Sequence, residues 1–135
     1  MSVDWQVVIN DWPPNINEIR AALPDVTEKN IFAYDLKIFN PSGVKLAPEL
    51  HEHEAVHFKQ QTAIGVEAWW LAFLSDEVFR LAQEIPAHKA EYRCFCKYNR
   101  DRNEQARFLR TLGQRLSAPM YGGIITANEA MKRIR

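Results

Sequence analysis

Two histidines four residues apart, with a glutamate directly after the first, make the most chemically suggestive segment of this 135-residue chain. In Glu49-Leu50-His51-Glu52-His53-Glu54-Ala55-Val56-His57-Phe58 the pattern H-E-x-x-H falls on His53, Glu54 and His57. On a helix, residues four apart lie one turn apart on one face, so both imidazoles can reach a single cation. The glutamate beside the first histidine projects sideways, where it can meet a water molecule on that cation. Zinc lowers the pKa of such a water, and the carboxylate takes its proton as it attacks a carbonyl. The spacing therefore predicts His53 and His57 as Zn2+ ligands and Glu54 as the general base of a hydrolase. The competing account is a chance match on a charged, exposed helix.

A catalytic zinc site needs a third protein ligand and an open position. Downstream, Glu84, His88 and Glu91 fall at i, i+4 and i+7, which puts them on one helix face. Glu84 is the expected third ligand. His88 and Glu91 stay open as groups that orient a ligand or replace Glu84. His51 is two residues before His53 and points elsewhere on a helix, as a solvated or capping residue. Tyr121, Tyr34, Tyr92 and His88 are candidates to steady an oxyanion. Trp69, Trp70 and Phe73 are expected to be core.

These residues need elements to carry them. Val3, Trp5, Val7 and Ile9 alternate, which predicts a strand over 2–9. Ile16, Ile19, Ala22 and Leu23 predict a short helix over 15–23, stopped by Pro24. Residues 30–39 are rich in β-formers and read as one long strand or as a hairpin turning near Asp35, with 44–46 as a short returning strand. Pro48 opens a helix that runs through the histidines to about Ile64, where Gly65 interrupts it. Residues 66–74 form the next helix, and Ser75-Asp76 caps a long one over 77–98. Pro86 sits inside that pattern and is expected to kink or divide it. A helix over 103–116 and a last one opened by the Thr126-x-x-Glu129 capping box, ending at Ile134, complete the chain. The fold class is α+β: a small sheet or hairpin packed on the histidine helix, with a mostly helical C-terminal half, as a single domain over 1–135.

The apolar fraction, 47%, suffices for a core without staples, so a metal here reads as functional. With 17 basic and 17 acidic residues the net charge is zero, which argues against nucleic acid as a partner. Eight arginines between Arg93 and Arg135 read as a solvated helix face. Cys94 and Cys96 are too close for a zinc knuckle and read as reduced thiols of a cytosolic protein. The apolar run 68–74 is too short to span a bilayer, and the first residues lack a signal-peptide pattern.

His53-Glu54-x-x-His57 completed by Glu84 on a later helix resembles the minimal gluzincin-type metallopeptidases. A wider pattern resembles small HExxH proteins encoded by tailed bacteriophages. It runs through Phe32-Ala33-Tyr34, Ile38-Phe39-Asn40-Pro41, Gln60-Gln61, Trp69-Trp70, Phe79-Arg80-Leu81-x-Gln83-Glu84 and Pro119-x-Tyr121-Gly122, and covers most of the chain from Asn30 onward. The resemblance implies a zincin-like core with substrate along an edge strand, His53, His57 and Glu84 holding zinc, and Glu54 as base. It implies a peptide or protein substrate, no membrane, and a place in the bacterial host cytoplasm or on a virion beside phage assembly proteins. There is one departure. Gluzincins carry an acid four residues after the third ligand, and His88 stands there in this chain, leaving Glu91 to compensate. The alternative function is a catalytically silent, metal-binding virion or assembly protein.

Overall fold

The computed structural model describes residues 6–135. Three short strands, β1 (Val7–Ile9), β2 (Phe32–Tyr34) and β3 (Lys37–Phe39), form one sheet in the order β1-β3-β2. β1 runs parallel to β3, with Val8 opposite Ile38, and β2 runs antiparallel to it, with Ala33 opposite Ile38. Six helices make up most of the rest: α1 (Ile16–Ala22), α2 (Pro48–Ile64), α3 (Val66–Ser75), α4 (Glu77–Tyr98), α5 (Arg102–Leu116) and α6 (Ala127–Ile134). The α+β class is met. Residues 2–5 of the expected first strand lie outside the described residues, and no helix among those described is long and apolar enough to cross a membrane.

The ends of the helices follow from local chemistry. Pro48 occupies the first turn of α2, where a missing N–H costs nothing, and Gly65 ends it at φ 99°, a value that favours glycine. The Asp76 carboxylate accepts from the Val78 and Phe79 N–H groups and caps α4. Thr126 and Glu129 form the reciprocal capping box of α6.

Pro86 neither divides nor ends α4, which continues to Tyr98. Pro86 and Ala82, whose carbonyl loses its usual donor, both lie on the exposed face, where solvent replaces the lost bond. The segment 44–46 is loop rather than strand. The 30–39 region is the hairpin, turned by Asp35 (φ 52°) and Leu36 (φ 62°). Two consecutive positive φ values fit the right-handed twist of the flanking strands, as in type I′ turns.

Two cores meet at the long helix. One joins Ile19, Phe32 and Phe39 to Trp69, Trp70 and Phe73 of α3. The other joins Leu81 of α4 to Leu109, Leu112 and Leu116 of α5, Tyr121, and Ala130 and Ile134 of α6. Gly113 permits the close α5–α6 crossing, since a Cβ there would lie 2.7 Å from Met131 Cγ and 2.8 Å from the Ala127 carbonyl oxygen. A smaller cluster of Ala33, Ile38 and Phe58 seats α2 under the sheet.

Leu36 is an exposed leucine in a conformation that costs a residue with a Cβ roughly 1–2 kcal/mol. Leu36→Gly should therefore stabilise the protein by about 1 kcal/mol, read from the urea midpoint. An unchanged or lowered midpoint would mean that the turn carries no such strain.

Candidate metal centre

α2 and α4 pack along each other and bring the motif to the downstream carboxylate. His53 and His57, one turn apart on α2, and Glu84 on α4 are all buried. Their tips converge. His57 Nε2 lies 3.2 Å from His53 Nε2 and 2.9 Å from Glu84 Oε1, and His53 Nε2 lies 3.1 Å from the same oxygen. A tetrahedron built on zinc bonds of about 2.0–2.1 Å has edges of about 3.3–3.4 Å, close to this triangle.

The protons are fixed from behind. His53 Nδ1–H donates to Glu91 Oε1 at 2.8 Å, and His57 Nδ1–H donates to Gln60 Oε1 at 2.8 Å. Gln60 is held in that orientation because its Nε2 donates to the Gln83 carbonyl at 2.9 Å. With both Nδ1 atoms committed as donors, the neutral imidazoles turn lone pairs toward each other and toward a carboxylate oxygen. Three acceptors at these distances repel one another unless a proton or a cation lies among them. The donor set of two Nε2 atoms and one carboxylate oxygen suits zinc, and it leaves a coordination place over.

The pKa shifts report the same tension. Burial opposes charge on His53, yet Glu54, Glu84 and Glu91 outweigh it and hold the imidazole well above its ordinary value. His57 is raised in the same way, with Glu84 as the main counterweight to burial. Burial would raise Glu84, but His57 and His53 hold it well below the usual carboxylate range. Glu91, also buried, is lowered chiefly by its hydrogen bond to His53. Glu54 is raised by burial, against the pull of His53 and His57. Its Oε2 is 3.8 Å from His53 Nε2, and it lines the same cleft.

His88 lies beside this triangle. The buried group His53, Glu84 and His88 places ligand atoms within 4.8 Å of one another and can hold a metal ion. His88 Nδ1–H donates to the Glu84 carbonyl at 2.8 Å and is 3.7 Å from Glu84 Oε1. The His53–His57–Glu84 edges are shorter, so that triangle is the tighter cradle. Burial pushes His88 down to about 4, so it is neutral near pH 7 and carries its one proton on Nδ1.

Several residues take places that their types and spacing do not announce. Tyr121, a candidate oxyanion group, donates instead to Glu84 Oε2 at 3.2 Å. Tyr34 packs with the α3 aromatics and Tyr92 against the α5–α6 core; neither lines the cleft. His88 lines it but has no proton to offer there. His51 turns away and meets Gln6. Trp69, Trp70 and Phe73 are core, as expected, and Trp69 also walls His57, ring centroid to ring centroid 5.2 Å. Arg80 is buried and donates to the carbonyls of Phe73, Leu74 and Met120, tying the end of α3 to the 3-10 turn (Pro119–Tyr121) that carries Tyr121. Gln60 could have been found as the i+3 neighbour of His57; Arg80 leaves no such signal. On the edge strand, the Ala33 carbonyl already accepts from Gln61 Nε2 at 2.7 Å and Trp70 Nε1 at 3.0 Å. A peptide expected along that edge would find this acceptor taken.

Because His53 and His57 hold protons more tightly than free imidazole, a cation must displace them. Zinc affinity should therefore rise with pH through the ordinary imidazole range and go on rising above it, as read by competition with a chromophoric chelator. Glu91→Gln should weaken zinc binding by roughly 10- to 100-fold. A flat pH profile together with an unaffected Glu91→Gln protein would remove the triangle as the metal site. No protein-family model, no curated protein and no solved structure matches the chain, so the geometry of these side chains carries the functional reading.

Proposed function

We propose that this chain is a zinc-dependent, peptidase-like hydrolase with a zincin-like core. His53, His57 and Glu84 would hold the ion, and Glu54 would act as general base. The observation that supports this most is the convergence of two imidazole Nε2 atoms and one carboxylate oxygen, 2.9–3.2 Å apart, with the Glu54 carboxyl, raised by burial, beside them in the same cleft. When bound, zinc supplies a Lewis acid that polarises a carbonyl and makes water acidic near neutral pH.

The chain's own residues do the rest. Glu54, raised by burial, is matched to receiving a proton from attacking water and handing it to the departing amine nitrogen. Glu91 and Gln60 fix the tautomer and ring orientation of the two histidines. Tyr121 holds the second Glu84 oxygen, which leaves Oε1 turned toward the imidazoles. The cleft, about 430 Å³, accommodates a few residues of a peptide. A peptide or protein substrate met in a bacterial host cytoplasm or during phage assembly fits the resemblance of the motifs.

A second reading is a silent metal-binding component of a virion or its assembly. The position of His88 favours it, since a third imidazole near the triangle could fill the place that catalysis needs open. Glu54→Gln separates the two readings. In an enzyme this variant should keep one zinc per chain and lose roughly 100- to 10,000-fold in peptide hydrolysis. Wild-type protein that binds zinc stoichiometrically and cuts no member of a diverse peptide library supports the silent reading; wild-type turnover in the variant removes Glu54 from the mechanism.

A further inference from the structure

The exposed rim of the cleft has a sign. Its acidic lining residues are Glu54, Glu84 and Glu91, all buried at its floor. Glu84 and Glu91 are hydrogen-bonded to imidazoles, and Glu54 is 3.8 Å from one. Every other charged residue along the cleft is a cation: Lys29 from the loop before β2, Lys45 from the loop before α2, and Arg115 from α5. All three are exposed. Neither lysine is in an ion pair with a carboxylate among the described residues, whereas Arg115 reaches Glu91 Oε2 at 3.5 Å. The whole chain has no net charge, so a cleft rimmed by cations alone is a local arrangement. The remaining lining is largely apolar, including Val26, Ile31, Val44 and Leu46.

The geometry points to a carboxylate-bearing peptide as the ligand of this cleft, its anionic group held by Lys29 and Lys45 while apolar neighbours lie along the walls. The inference rests on the reading of the cleft as a substrate site and adds the substrate's charge. The carboxylate can come from an aspartate or glutamate side chain or from a free C-terminus. The two loops, rather than the metal residues, then set specificity, by attraction in a partly desolvated groove.

The test uses the Glu54→Gln protein, with and without zinc, and fluorescently labelled octapeptides in four forms: glutamate-containing or glutamine-substituted, each with a free or amidated C-terminus. Anisotropy should show the glutamate or the free-acid form binding about tenfold more tightly than the neutral amide, and which of the two gains identifies the source of the carboxylate. The preference should shrink between low and high salt. Lys29→Gln/Lys45→Gln in the same background should abolish most of the preference without changing zinc content or binding of the neutral peptide; circular dichroism confirms that the fold is kept. Equal binding of all forms, a preference that survives the double substitution, or no binding of any peptide overturns the inference. The hydrolase reading fails separately: wild-type protein that cuts no member of a diverse peptide library while the charge preference persists defeats the enzyme and keeps the ligand class.

Discussion

Two imidazole lone pairs and a carboxylate oxygen held 2.9–3.2 Å apart cannot rest there without positive charge among them. That constraint organises the centre of the molecule. A proton relieves it, which is why burial fails to lower the two histidines and fails to raise Glu84. A divalent cation relieves it better, because it satisfies all three acceptors at once. The outer groups keep the repulsion from being escaped by rotation. Glu91 and Gln60 hold the backs of the rings, and Tyr121 holds the back of the carboxylate.

The scaffold is arranged to keep those backs in place. α2 lies along α4, so the two histidines and the carboxylate that meets them come from two helices rather than from loops. Glu84, His88 and Glu91 on one face of α4 provide the oxygen that meets both imidazoles, a neighbouring imidazole and the carboxylate that orients His53. Arg80, one turn before Glu84, pins the 3-10 turn whose tyrosine completes the set. Glu91, one helical turn beyond His88, is the carboxylate that receives the His53 Nδ1 proton and fixes that ring.

Local chemistry made much of this legible. Pro48 and Gly65 bound α2, Asp76 starts α4, and Thr126 with Glu129 starts α6, because caps and breakers act within a few residues. The motif spacing and the i, i+4, i+7 face of α4 are local in the same way, and the structure brings those side chains together. What escaped depends on partners distant in sequence. The roles of Tyr121 and Arg80 follow from a turn folding back over α4, and no periodicity encodes that. Pro86 does not divide α4 as one alternative had it, and whether a proline breaks a helix depends on whether the carbonyl one turn earlier faces solvent or protein. The hairpin near Asp35 stayed one of two alternatives because Leu36 stands where glycine or asparagine is usual.

The doubly bonded Ala33 carbonyl has a consequence for the protein's behaviour in concentrated solution. Strands at the rim of a sheet are templates on which other chains can pair, and proteins that expose them tend to aggregate. Here an internal glutamine and tryptophan cap the acceptor at the middle of the three-residue rim strand. One outward acceptor of that rim is thereby taken from within, which leaves a neighbouring molecule less to pair with there.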